Sequence, residues 1–206
     1  MRQLLLIVTV FLGLQQALLG AEPQVLFKDP LKGKLGQGWS WLRENPKNWR
    51  VTEQGLEIRV EPGVAGTVKN ALLRPAPKPS QAPYAVEVTI ELLSALTQQY
   101  EQAGVTWYQG DKPAFKLVHE LIDGKTYIIP GRKPTATRLM QLRLVVGADR
   151  FTFQYRPDGQ GAFQTAGTKA QAPRADDRIS IQCYNGPPAA EHWIRFSDFR
   201  IVKVAE

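Results

Sequence analysis

Short segments in which apolar and polar residues alternate with a period of two dominate the chain. In YAVEVTIELL, residues 84–93, every second residue from Val86 to Leu92 is apolar, and MQLRLVV, FTFQYR, RISIQCY and WIRFSDFRIV repeat the pattern. Such alternation is typical of β-strands with one buried face. No window shows a convincing 3.6-residue period, and only LLSALTQQYEQ could hold a helical turn. The pattern predicts an all-β protein.

Turn residues separate these segments. WRVTEQGLEIRV reads as a hairpin that turns at Gln54-Gly55, LVVGADRFTFQY turns between Gly147 and Asp149, and Asp158-Gly159 supplies another turn. RPAPKPSQAP holds four prolines in ten residues and cannot pair as a central strand, so we expect a surface loop. The alternation slips by one residue at Ser197-Asp198, which indicates a β-bulge.

Eleven or twelve short strands without intervening helices predict a jelly-roll sandwich of two antiparallel sheets. With 206 residues, 43% of them apolar, the chain can form a sizeable core. We expect one domain over residues 22–206, after a secretory signal peptide at 1–21. The signal peptide is indicated by an Arg, an apolar run from Leu4 to Leu14 and small residues at Gly20 and Ala21. Cleavage after Gly20 and an uncleaved membrane anchor are the alternatives.

Export predicts a secreted or periplasmic protein with no membrane contact after cleavage. The one cysteine, Cys183, allows no intramolecular disulfide, and its phase with Ile179 and Ile181 predicts a buried thiol. The net charge is +7, but the basic residues are scattered and no nucleic-acid motif occurs, so nucleic acid is not an expected partner. The oligomeric state is left open.

Catalytic and metal motifs are weak. Glycosidases of jelly-roll fold use two carboxylates on one strand face, whereas Glu120 and Asp123 have an odd spacing that a regular strand sends to opposite faces. His119 and His192 lack neighbours at ligand spacing. No GxSxG motif and no phosphate-binding glycine loop occur. No cofactor is expected, although calcium held by loop oxygens is compatible with the sequence.

The tryptophan residues favour a ligand-binding function. The five Trp lie in or beside predicted strands, and Trp39 and Trp41 alternate with Ser40 and so share a face. Trp rings either stack on sugar rings or fill a core. We expect Trp41 and Trp107 among the ligand contacts, with core packing as the alternative for any single Trp.

The segment YEQAGVTWYQGDKPAFKLVHELIDG resembles a family of concanavalin A-like sandwiches that includes uncharacterised bacterial domains related to the yeast regulation-of-enolase protein. The family usually has Trp where this chain has Ala114 or Phe115, and it usually has Asp where this chain has Glu101. The family pattern falls on Tyr100–Gly104, Lys116, Glu120, Asp123 and Gly124.

The sandwich appended to bacterial β-xylosidases is also similar. This second likeness lies in WLRENPKNWRVTEQGLEIRV and AGVTWYQ, and the closing IRFSDFRIV looks like the final strand of many such sandwiches. The resemblance implies a carbohydrate-associated sandwich, often accessory to enzymes, without an assigned catalytic pair.

The alternation along the strand predicts which side chains of the segment that resembles the family share a face. Lys116, Val118 and Glu120 share one face, while Phe115, Leu117, His119 and Leu121 form a more apolar set that we place toward the core. The first face should be the open face of its sheet, and neighbouring strands should complete it. The predicted ligand-binding residues are Gln102, Tyr108, Lys116, Glu120, Arg143, Trp107 and Trp41.

Three functions remain compatible with the sequence. We expect an exported, non-catalytic sandwich that binds carbohydrate on this open face. The first alternative is a glycoside hydrolase of the same fold that uses Glu120 with Asp123 or Asp111. The second is a protein-interaction module of the cell envelope. In that case Lys116 and Glu120 would be a surface pair that only keeps the sheet solvated.

Overall fold

A computed structural model of the chain describes residues 23–204, so the expected signal peptide lies outside the described residues. The described range contains fifteen strands and two single 3-10 turns, Pro46–Asn48 and Pro79–Gln81. The strands are β1 (Val25–Asp29), β2 (Ser40–Leu42), β3 (Trp49–Val51), β4 (Leu56–Arg59), β5 (Ala71–Pro75), β6 (Tyr84–Leu92), β7 (Gln102–Gln109), β8 (Lys112–Ile122), β9 (Lys125–Ile129), β10 (Lys133–Pro134), β11 (Leu139–Val146), β12 (Arg150–Pro157), β13 (Gln164–Ala170), β14 (Asp177–Tyr184) and β15 (Trp193–Lys203).

The strands form two antiparallel sheets. The first sheet has the order β13-β12-β11-β6-β15-β4-β3, and β1 pairs with β15 as its eighth strand. The second sheet has the order β10-β9-β8-β7-β14-β5-β2. The prediction of a two-sheet antiparallel sandwich is therefore confirmed.

β15 pairs with β6 along one side and with two short strands along the other. Trp193–Phe196 pair with β4, and Phe199–Val202 pair with β1. Between the two halves the register with β6 shifts after Ser197, and Asp198 has a φ of 52°. This is the bulge that the phase slip predicted, and it turns Phe199 back to the core face that Phe196 occupies.

The apolar residues of the alternating strands meet between the sheets. Ile90 and Leu142 of the first sheet and Val105 and Ile181 of the second belong to one continuous buried cluster. Cys183 belongs to the same cluster and is 1% exposed, as its phase predicted. The strands that contribute to this cluster therefore have one face in the core and one face directed outward.

The predicted connections are also present. β3 and β4 form the hairpin around Gly55, β11 and β12 form the next, and the proline-rich segment connects β5 to β6. LLSALTQQYEQ contains no helix. The backbone N–H groups of Thr97 and Gln98 donate instead to the Glu101 carboxylate at 2.8 and 3.2 Å, which satisfies both donors without a helical turn. Residues 23–204 contain no helix with the length and apolar character of a membrane span.

Candidate functional site

The outward face of the second sheet carries a continuous group of polar side chains on its three central strands. Ala103, Val105 and Trp107 of β7 are part of the core cluster, so the alternate residues of β7 point outward. β8 and β14 follow the same rule, and their registers bring Glu120 opposite Gln102 and Ser180 opposite Thr106. We call this surface the outer face. Its polar members are Gln102, Thr106, Tyr108, Lys116, Glu120, Ser180 and Gln182.

At one end of the outer face, three side chains form a closed polar group, the Lys116 cluster (Gln102, Lys116 and Glu120). Lys116 Nζ donates to Gln102 Oε1 at 2.6 Å and to Glu120 Oε2 at 2.9 Å. Gln102 Nε2 donates to Glu120 Oε1 at 3.2 Å and to the backbone oxygen of Tyr100 at 2.8 Å. The Glu120 side chain is 7% exposed and that of Lys116 is 30% exposed. The ammonium has three N–H groups, so one of them remains available to a ligand.

A second group, the Gln182 cluster (Tyr108, Ser180 and Gln182), lies on β7 and β14. The Tyr108 hydroxyl and the Ser180 hydroxyl each donate to Gln182 Oε1 at 3.0 Å. Two acceptor contacts on the oxygen fix the orientation of the amide. Burial raises the pKa of Tyr108, while Arg43, Gln182 and Arg178 partly oppose this increase. The tyrosine is therefore a neutral hydrogen-bond donor at physiological pH.

Two buried polar atoms on this face have no hydrogen-bond partner among residues 23–204. They are Gln182 Nε2 and Thr106 Oγ1, on residues that are 0% and 1% exposed. An unsatisfied buried polar group costs about 1–3 kcal/mol.

Part of the outer face is covered by the segment between β4 and β5. Ala65 and Val68 pack against Leu73, Tyr108 and Tyr184 in a small apolar cluster. Arg43 holds this segment by donating to the backbone oxygens of Val68 at 3.0 Å and Gly66 at 2.6 Å. The proline-rich loop does not cover this face, because Pro77 lies beside Phe27 and Ile201 at the edge of the first sheet. The accessible part of the face is therefore its Lys116 end.

Four of the predicted ligand-binding residues share the outer face. Gln102, Lys116 and Glu120 form the Lys116 cluster, and Tyr108 belongs to the Gln182 cluster. The sequence-based assignment of Lys116 and Glu120 to the side opposite Leu117 and Leu121 is correct in position, because those leucines lie in the core cluster.

The other three predicted residues do not lie on this face. Trp107 is fully buried between the sheets, with ring centroids 4.9 Å from Phe151 and 6.0 Å from Phe115. Trp41 packs against the core and lies 4.7 Å from the Trp49 ring. Both indoles fill the space between the sheets, where their large apolar area is removed from water.

Arg143 lies in the first sheet, whereas the outer face belongs to the second sheet. It lies on β11 of the first sheet, where its Nε is 3.3 Å from Glu87 Oε1 and its guanidinium lies 4.9 Å from the Phe163 ring. Strand phase distinguishes inward from outward residues but does not assign a strand to a sheet. The prediction that Arg143 joins Lys116 and Glu120 on one surface is therefore wrong.

Sequence reasoning missed the contribution of β14. Ser180, Gln182 and Tyr184 alternate with Ile179, Ile181 and Cys183, so the segment RISIQCY already separated them from the core. The pairing of β14 with β7 was the missing information, since it brings Gln182 opposite Gly104 and Tyr184 opposite Gln102.

The two carboxylates of the hydrolase alternative, Asp123 and Asp111, each pair with an arginine outside the Lys116 cluster. Asp123 occupies the turn after β8 with a φ of 52° and accepts from Arg132 at 3.2 Å. Asp111 is 94% exposed, pairs with Arg178 at 2.6 Å and follows the far end of β7, roughly 24 Å along the strand from Gln102. A glycosidase pair needs carboxyl groups about 5–10 Å apart.

Metal-binding groups are not found among the described residues. Within 23–204, no three His, Cys, Asp or Glu side chains are arranged to hold an ion. His119 faces the core, and His192 Nδ1 lies 2.7 Å from Glu101 Oε1.

Solved structures show which fold this arrangement belongs to. A GH43 protein, BlXynB from Bacillus licheniformis, superposes with a TM-score of 0.71 at 17% identity over 86% of this chain. A functionally unknown protein from Saccharomyces cerevisiae matches with a TM-score of 0.56 at 14% identity, over 82% of this chain and 98% of its own. The chain has the concanavalin A-like sandwich fold. Its expected likeness to β-xylosidase and yeast sandwiches is confirmed at the level of the fold.

The concanavalin A-like neighbours include whole enzymes as well as parts of enzymes. The alginate lyase from Klebsiella pneumoniae matches with a TM-score of 0.54 at 10% identity, over 79% of this chain and 86% of its own. By contrast, this chain spans only 39% of the length of BlXynB. No protein-family model and no curated protein matches the sequence.

Proposed function

We propose that the protein is an exported, non-catalytic carbohydrate-binding sandwich that holds its ligand on the outer face. The observation that carries the proposal is the Lys116 cluster, which gathers an ammonium, a carboxylate and an amide at the accessible end of the outer face. Sugar hydroxyls both donate and accept hydrogen bonds. They therefore match the ammonium N–H of Lys116 that the cluster leaves available and the carboxylate and amide groups beside it.

An aromatic side chain at the edge of the Lys116 cluster supports the proposal. Tyr127 on β9 lies opposite Glu120 in the register and is partly exposed. A partly exposed ring beside polar groups suits the apolar face of a pyranose. The carbohydrate-related names of the structural neighbours, a GH43 protein and alginate lyases, agree with a glycan as the ligand class.

A binding role fits the outer face better than hydrolysis does. Glu120 has both carboxylate oxygens occupied by Lys116 and Gln102, and the alternative carboxylates lie elsewhere. The N-terminal signal pattern supports export, with the secreted or periplasmic protein as the functional form.

A glycan array tests the proposal. The purified wild-type protein is compared with the double variant Lys116→Ala/Glu120→Ala and with Arg59→Ala/Glu191→Ala. The second variant removes a partly exposed ion pair of 3.1 Å from a different surface. We expect glycan binding that the first double variant loses and the second retains. Absence of binding by folded protein contradicts the proposal and favours the protein-interaction alternative.

A further inference from the structure

A second recess, separate from the outer face, opens at one edge of the sandwich. Its volume is about 600 Å³, within the range of about 300–1,000 Å³ that is typical of small-molecule sites. Leu92 of the first sheet, Leu121 of the second sheet and Leu96 of the connection between β6 and β7 form its floor. All three leucines are less than 9% exposed. We call this recess the edge cavity.

The edge cavity is independent of the proposed glycan surface. Leu121 and Glu120 are neighbours on β8 and point to opposite sides, since Leu121 belongs to the core cluster. The wall of the cavity includes Pro134 and Ala136, in the segment that passes from β10 to β11 and so from the second sheet to the first. A ligand here would lie between the two sheets at their edge.

Two cationic side chains complete the lining. Lys125 and Arg138 both border the cavity. Among residues 23–204, neither side chain forms an ion pair within 4.0 Å. Arg132, in the same part of the molecule, is paired with Asp123 at 3.2 Å. The cavity thus combines an apolar floor with two cationic side chains that have no acidic partner within 4.0 Å among residues 23–204.

Two threonine hydroxyls of the lining are already used within the protein. Thr126 Oγ1 donates to the backbone oxygen of Thr135, and Thr137 Oγ1 is bonded to Leu139 O at 3.0 Å and to Asp158 Oδ1 at 2.5 Å. The polar groups that remain for a ligand in this region are mainly the guanidinium and the ammonium. Arginine recognises planar anions such as carboxylates through paired N–H groups.

We propose that the edge cavity binds a small organic carboxylate with an apolar body. The apolar body lies against Leu92, Leu96 and Leu121, and the carboxylate is held by Arg138 and Lys125. This assignment follows from the apolar floor and the two cationic side chains, and it does not depend on carbohydrate binding by the outer face.

Isothermal titration calorimetry at pH 7 with a matched pair of probes tests the proposal. Naphthalene-2-carboxylate carries the charge, and naphthalene-2-carboxamide has the same apolar body without it. We expect the carboxylate to bind with one site per chain. Arg138→Gln should weaken carboxylate binding roughly ten-fold or more, because a hydrogen bond to a charged group is lost, and should change carboxamide binding less than about two-fold. Arg150→Gln serves as the matched control, because Arg150 is 65% exposed and pairs with Asp149.

A cavity-filling variant locates the bound probe. Ala136→Trp places an indole in the recess and should abolish binding of both probes. If this variant does not fold, Ala95→Trp, on another part of the lining, is used in its place. The proposal is overturned if the wild-type protein gives no saturable heat with the carboxylate. It is also overturned if Arg138→Gln weakens both probes equally, or if the filled cavity still binds the carboxylate.

Discussion

Lys116 and Glu120 form an ion pair along an extended strand, with Lys116 Nζ 2.9 Å from Glu120 Oε2. Residues four apart on a strand have Cα atoms roughly 13 Å apart, so the two side chains must extend toward each other. Between them on the same face lies Val118, which is 0% exposed although it does not belong to the core cluster. The ion pair therefore covers an apolar residue on the outer face.

Removing only the lysine should leave a buried carboxylate without its cation. We expect Lys116→Met to lower the free energy of unfolding by about 2 kcal/mol at pH 7, because Glu120 then keeps a desolvated charge. We expect the double variant Lys116→Met/Glu120→Gln to recover most of the lost free energy of unfolding. Urea unfolding of the wild type, both single variants and the double variant measures the coupling. Strictly additive effects of the two substitutions would contradict a coupled pair.

His119 should make the fold sensitive to acid. Both ring nitrogens are buried without a partner in the part of the chain that the structure describes, and burial lowers the pKa of His119 from 6.5 to about 4. Between pH 6.5 and 4 the unfolded chain binds a proton that the folded chain does not, so stability falls as the pH decreases through this window. The loss at pH 4 amounts to about 3 kcal/mol.

The matched variant for this prediction is His119→Leu. It removes the titrating group and two unsatisfied polar atoms, so we expect equal or greater stability at pH 7 and a smaller loss on acidification. Denaturant unfolding at several pH values between 4 and 7 gives the difference between the two curves. Parallel curves for wild type and variant would show that His119 does not contribute.

The strand-level features of this fold were predictable because alternation is a local signal. The phase of RISIQCY separated Ile179, Ile181 and Cys183 from the outward residues, and the slip at Ser197-Asp198 located the bulge of β15. The short strands β2 and β10, with three and two residues, carry too few positions for a pattern. The strand count of eleven or twelve therefore fell short of the fifteen strands present.

The composition of the outer face was only partly predictable, because it depends on which strands are neighbours. Gln102, Lys116 and Glu120 come from one hairpin, and strand phase within that hairpin was enough to group them. Gln182 reaches the same surface through pairing between β7 and β14, which are far apart in sequence. Arg143 was misplaced for the same reason, since its alternation is regular but its strand belongs to the first sheet.

Gly104 should tolerate no side chain. A Cβ at this position would lie 2.3 Å from the backbone oxygen of Leu117 and 2.8 Å from Val118 Cα, both on the paired strand β8. Because these are backbone atoms, Gly104→Ala must separate β7 from β8, and we expect a loss of about 3 kcal/mol.

Gly66→Ala is the control for this substitution, because a Cβ there would meet no atom within 4 Å. We expect its thermal unfolding midpoint to stay close to that of the wild type, while that of Gly104→Ala decreases by several degrees. Equal midpoints for the two variants would contradict the close approach of β7 and β8.

Cys183 should be unreactive in the native protein. The thiol is buried in the core, and burial raises its pKa well above the usual value, with Glu101 and Glu61 adding to the increase. Since the thiolate is the reactive form, we expect no reaction with Ellman's reagent at pH 8 until the chain unfolds. In 6 M guanidinium chloride one thiol per chain should react within minutes. Rapid labelling of the folded protein would show that the core opens at this strand.

The proposed binding of a glycan to the outer face of the second sheet can be tested by a titration that follows amide NMR shifts. The isotope-labelled protein is titrated with xylan-derived and alginate-derived oligosaccharides and with the strongest ligand from the array. Glycan binding at the Lys116 end of the outer face should give saturable shifts at Gln102, residues 116–120 and Tyr127, and should leave the signals of Arg143 and Arg195 on the first sheet unchanged. Saturable shifts confined to another surface, or none with any glycan, would contradict it.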